Sequence, residues 1–132
     1  MSRASLLAAV LTLVTATAGV RAGAQVVTES PFRCDMSMLS ADTIARKDTI
    51  GASLAKKELG HSPLPTGYEF RFPGDAATIS DVAEWIVTER LCCPFFDFDL
   101  SLAREGGTLA LRLTGRPGTK AFIEADFTRW MK

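Results

Sequence analysis

The sequence predicts an α+β domain, a small three-stranded antiparallel sheet with helices on one face, and two patterns carry that expectation. Tyr68, Phe70 and Phe72 alternate with Glu69 and Arg71, Phe96 to Leu102 alternates with Asp97, Asp99 and Ser101, and Leu109, Leu111 and Leu113 alternate with Ala110 and Arg112. Period-two alternation of this kind marks a strand with one covered face. Between the first two strands Ile79, Val82, Ala83, Ile86, Arg90 and Cys93 recur at spacings of three and four, one side of a helix. Helices layered on a single side of the sheet would cover all three strands. The core order is βαββα, which suggests a ferredoxin-like arrangement lacking a strand, preceded by an extra helix.

Taken from the start, Met-Ser-Arg, the apolar segment Leu6–Val20 and Ala22-Gly23-Ala24 fit a secretory signal peptide over residues 1–24. The apolar segment, interrupted by Thr12, Thr15 and Thr17, falls short of the about 20 predominantly apolar residues that a membrane span needs. The processed chain is therefore expected to be exported, periplasmic or extracellular, with no stable membrane anchor. Residues 25–132 are enough for one domain and too few for two. With Arg3 and Arg21 removed, the 15 basic residues become a slight minority against 15 acidic ones. No basic excess remains to neutralise phosphates, so nucleic acid is not an expected partner.

Gln25 to Arg33 shows no period and reads as an extended N-terminal arm leading to Cys34. Ser40 or Asp42 can cap a helix over Thr43 to Leu59, with Ile44, Lys47, Asp48, Gly51, Leu54 and Ala55 on one stripe and Gly60 as its stop. His61 to Gly67, which contains two prolines, reads as loop. Thr78 or Ser80 can cap the next helix, and Pro94 ends it. Arg104 to Gly107 supplies a hairpin turn. Gly115-Arg-Pro-Gly-Thr119 opens a last helix carrying Phe122, Phe127 and Trp130 on one side. The basic residues Arg116 and Lys120 would suit an anion at that helix start, but a plain strand-to-helix turn is the stronger reading.

The three cysteines, Cys34, Cys92 and Cys93, are an odd number in a chain expected to meet an oxidising compartment. Cys92 and Cys93 bonded to each other would be strained, because adjacent α-carbons lie about 3.80 Å apart, below the roughly 4.4 Å lower edge for disulfides. A reactive, low-pKa thiolate is a poor fit as well. Both sulfurs sit at the C-terminal, negative end of a helix, near Glu89, which raises a thiol pKa. Coordination of a soft metal escapes that objection, because a bound ion deprotonates the thiol, and Cys34, Cys92 and Cys93 together would make a three-thiolate site. A zinc set completed by His61, the only histidine, lacks finger spacing. The plainest alternative is one structural disulfide from Cys34 to Cys92 or Cys93. Glu89 lies on the face of Val82, Trp85 and Ile86, and reads either as a proton acceptor or hard ligand beside sulfur, or as the partner of Arg90 or of a strand arginine such as Arg112.

Phe32-Arg-Cys34-Asp-Met-Ser-Met-Leu39, Gly67-Tyr-Glu-Phe-Arg-Phe72, Glu84-Trp-Ile, Glu89-Arg-Leu-Cys-Cys-Pro-Phe-Phe-Asp-Phe98, Leu111-Arg-Leu-Thr-Gly115 and Gly118-Thr-Lys-Ala-Phe122 together resemble a family of small bacterial proteins. That family has an E-x-x-C-C-P-F-F-x-F signature and no established activity. Related segments occur alongside metal-responsive regulators, so the resemblance implies soft-metal or thiol chemistry. The expectations are then an exported protein that binds a soft metal or metalloid, or another thiol ligand, through the three cysteines; a domain stapled by one disulfide; or a thiol-dependent redox protein.

Overall fold

The computed structural model describes residues 28–132. The expected signal peptide at 1–24, its cleavage site and the first residues of the arm lie outside the described residues. Within them, a 3-10 turn at Met36–Met38 precedes α1 (Ala41–Lys57), β1 (Gly60–Leu64), β2 (Gly67–Phe72), α2 (Ala76–Cys92), β3 (Asp97–Leu102), β4 (Leu109–Thr114) and α3 (Thr119–Asp126). None of these helices is long and apolar enough to cross a membrane.

The sheet has four strands, not three, in the order β1-β2-β4-β3, with every neighbouring pair antiparallel. The expectation of a three-stranded sheet lacking a strand is thereby corrected. His61 to Leu64, part of the stretch read as loop for its prolines, pairs residue for residue with Phe70 to Gly67 of β2, and Gly60 extends the pairing to Arg71. Pro63 is tolerated because β1 is an edge strand, where a missing N–H need not break a ladder on both sides. Pro65 and Thr66 form the two-residue connection between the strands.

The alternating pattern of β2 and β4 resolves into two faces. Tyr68, Phe70, Phe72, Leu109, Leu111 and Leu113 are buried on one, while Arg71 and Arg112 are exposed on the other, where Arg112 Nε donates to Glu69 Oε2 at 2.8 Å. The helical layer meets the apolar face through Trp130, whose ring packs edge-on to Phe70 and Phe72 and lies 4.8 Å from the ring of Trp85. Burying an aromatic or aliphatic side chain contributes roughly 1.5–3 kcal/mol, so this cluster is the main stabilising unit. β3 contributes less, since Leu100 and Leu102 face the same side yet stay 39% and 53% exposed.

Helix starts follow side-chain chemistry. Ser40 caps α1 by accepting from Thr43 N, as one of the two expected residues. α2 begins earlier than expected, because Asp75 accepts from Thr78 N and Thr78 Oγ1 and so makes Thr78 an interior residue instead of a cap. α3 stops at Asp126, and Trp130 reaches the core from a following turn closed by its N–H on Phe127 O. Gly118 sits at φ 104°, and a Cβ there would meet the Phe32 ring at 2.7 Å. That close approach lets the N-terminal arm lie against the start of α3.

Candidate functional site

The end of α2 is where the sulfurs meet. Cys92 is the last helical residue, and Cys93 leaves helical geometry at φ −126°, ψ 66°, as expected for a residue before proline. The two side chains take different partners although their sulfurs stay 3.7 Å apart. Cys92 stays over its own helix, its Sγ 3.8 Å from Glu89 Oε2, while Cys93 turns to form a disulfide with Cys34, 59 residues away in sequence. Of the two pairings left open by the sequence, the structure selects Cys34–Cys93 and leaves Cys92 as a buried free thiol.

The arm that brings Cys34 is held by more than sulfur. Asp35 N donates to Cys92 O at 2.7 Å, which satisfies a carbonyl at the helix end that has no partner within the helix. Phe32 packs on Phe95 and Phe122. Arg116 lies over the Phe32 ring at 4.2 Å from its centroid, pairs with Glu29 at 3.4 Å and donates to Ser30 O. The Gly115–Lys120 turn thus clamps the arm; Arg116 is occupied by that work and not by an anion site.

Glu89 is the residue on which the site's electrostatics turn. Its partner is neither Arg90 nor Arg112: Lys47 Nζ reaches Glu89 Oε1 at 2.8 Å, with side-chain exposures of 14% and 3%, while Arg112 is taken by Glu69. Burial pushes the Glu89 carboxyl up, and Lys47 and the Cys92 thiol pull it back. The Cys92 thiol is pushed up to about 11, first by burial and then by the charge of Glu89, with Lys47 opposing. The direction is the one expected for a thiol at a helix C-terminus. At neutral pH Cys92 is protonated and a weak nucleophile, which argues against a redox enzyme using Cys92 as its attacking group.

One ligand atom from each of Cys34, Glu89, Cys92 and Cys93 lies within 4.8 Å of all the others. Cys92 Sγ and Cys93 Sγ are 3.7 Å apart. All three expected cysteines therefore come together, and Glu89 joins them. His61 does not belong to this cluster; its Nδ1 lies 2.9 Å from Glu58 Oε1. Three sulfurs and one carboxylate suit a soft ion once the disulfide is reduced; in the oxidised state Cys34 and Cys93 offer no thiolate.

Beside the cluster lies a cleft of about 330 Å³ whose lining includes Cys34, Lys47, Glu89, Trp85, Arg129 and Trp130. Sequence reasoning placed Lys47 on the stripe of α1 and Trp130 on the apolar side of the last helix, and it gave Arg129 no role. The partner of Lys47 had a signal, because a lysine within the apolar stripe of α1 needs a buried partner; Arg129 follows the last helix, where periodicity carries no information. In comparisons with protein-family models, curated proteins and solved structures, the chain matched none.

Proposed function

We propose that the protein is a small exported thiol protein that binds a soft metal ion or metalloid through Cys34, Cys92 and Cys93 when its disulfide is reduced, with Glu89 as a fourth donor. The observation that carries this reading is the mutual proximity, within 4.8 Å, of three sulfurs and a carboxylate. Thiolates favour soft ions over hard ones. Bound cation would also reverse the local balance, since it stabilises the Cys92 thiolate that burial and Glu89 disfavour. The resemblance to a family whose segments accompany metal-responsive regulators points the same way. Opening the site takes two electrons and two protons, one proton for each of Cys34 and Cys93, supplied by a dithiol or phosphine reductant.

The test is native mass spectrometry of protein reduced with a phosphine, freed of it, and titrated with Cd(II), Hg(II) or As(III). One ion per chain is expected, with binding strongly reduced by Cys92→Ser or Cys93→Ser and in the oxidised protein. Absence of an adduct, or an adduct that ignores both substitutions, overturns the reading.

A second reading, a structural or interaction domain stapled by one disulfide, is favoured by the Cys34–Cys93 bond itself and by the protonated, buried state of Cys92. Under it the oxidised form is the working form, and soft ions bind no better after reduction than before.

A further inference from the structure

We infer that small zwitterionic thiols, of amino-acid or short-peptide size, open the disulfide by attacking Cys34 Sγ from the cleft between α1, α2 and the C-terminal turn. The inference deepens the soft-ion reading, on which it rests for the use of the opened site, by naming what opens it and at which sulfur.

The two sulfurs of the bond are not equivalent. Cys34 lines the cleft and keeps some exposure, whereas Cys93 lines none of it and has no accessible surface. Thiol–disulfide exchange depends on which sulfur an incoming thiolate can reach, so attack is directed to Cys34. The cleft's volume of about 330 Å³ lies at the small end of ligand-binding pockets. Trp85 and Trp130 give it an aromatic wall, with ring centroids 4.8 Å apart.

Charge at the rim narrows the class of thiol. Lys47 is engaged with Glu89. The remaining charged lining is Arg129 together with Asp48 and Asp126, all exposed. One basic and two acidic groups around an aromatic wall complement a ligand that carries both a carboxylate and an ammonium group, and offer nothing comparable to a neutral thiol.

In the first step the incoming thiolate sulfur forms a bond to Cys34 Sγ, the Cys34–Cys93 bond breaks, and Cys93 Sγ leaves with the electron pair and takes up a proton. A second thiolate then attacks the mixed disulfide at the small-molecule sulfur. Cys34 Sγ leaves and is protonated, and the two small thiols depart as their disulfide. Two thiols are oxidised and one protein disulfide is reduced.

The experiment treats the oxidised protein with cysteine or with 2-mercaptoethanol at equal thiolate concentration, quenches with acid, and maps the adduct by peptide mass spectrometry. The first adduct is expected on Cys34, both in the natural sequence and in Cys92→Ser, where scrambling through Cys92 is blocked. Cysteine should react about threefold faster per thiolate, the scale of one exposed charged contact, and Arg129→Ala should bring the two rates close to parity. An adduct first on Cys93, or equal rates in the natural sequence, overturns the inference. Soft-ion uptake after phosphine reduction bypasses the cleft, so it tests the functional reading separately: uptake with equal thiol rates sinks only this inference, and selective addition at Cys34 without uptake sinks only the other.

Discussion

Lys47 Nζ and Glu89 Oε1 form a 2.8 Å ion pair between the middle of α1 and the last turn of α2, with Glu89 almost wholly withdrawn from water. A buried pair broken on one side leaves an uncompensated charge, which costs more than the intact pair contributes. Lys47→Met is therefore expected to lower stability by about 3 kcal/mol. The double variant Lys47→Met, Glu89→Leu should recover most of that loss. Urea unfolding of the single and double variants checks it, and simple additivity of the two single effects would count against a coupled pair.

The thiol of Cys92 gives a pH signature. Its pKa is raised to about 11 from an ordinary value of 9.0 by burial and by Glu89, against the pull of Lys47. The folded protein therefore holds this proton more tightly than the unfolded chain does. The stability so contributed is fully present below pH 9 and is lost as pH rises toward 11. Unfolding measured across that window should show a downward slope that is shallower in Cys92→Ala. Thiolate absorbance should titrate near the same upper value and move down in Glu89→Gln.

Cutting the Cys34–Cys93 bond removes a constraint spanning 59 residues of sequence. In the chain-entropy model a loop of that length contributes about 4 kcal/mol. Cys34→Ser should therefore lower the urea midpoint substantially, and Cys92→Ser much less, since Cys92 is outside the bond. Equal effects would mean that the staple contributes little to the oxidised fold.

Arg116 holds the arm through Phe32, Glu29 and Ser30. Arg116→Ala is expected to raise amide hydrogen exchange in Ser30–Asp35 while leaving β2 and β4 protected. Because the arm carries Cys34, reduction of the disulfide by a given thiol should also speed up. Unchanged exchange in the arm would show that Phe32 packing suffices.

What the sequence revealed, and what it hid, follows from how far each signal reaches. Alternation in Gly67–Phe72 and Leu109–Thr114 reports burial of one face directly, and both stretches are strands with the apolar residues inward. The strand Gly60–Leu64 was hidden because its evidence lies in its partner: β1 has no alternation of its own, and Pro63 with the following Pro65 speaks locally for a turn. The asymmetric roles of Cys92 and Cys93 were half visible. Pro94 takes Cys93 out of the helix, yet the local turn keeps its sulfur 3.7 Å from that of Cys92, and only the path of the arm decides which one Cys34 meets. The Lys47–Glu89 pair shows the same limit, since each residue stands out on its own helix as a charge on an apolar face while their match is a property of how α1 crosses α2.

The hydrogen bond from Asp35 N to Cys92 O anchors the residue immediately after Cys34 through backbone atoms alone. With that bond kept, severing the sulfur bridge should leave the far sulfur leashed near its former mate, at a high effective molarity. Such a leash is expected to make re-closure fast and first order in protein. A clasp held in this way would keep its halves aligned while it is undone.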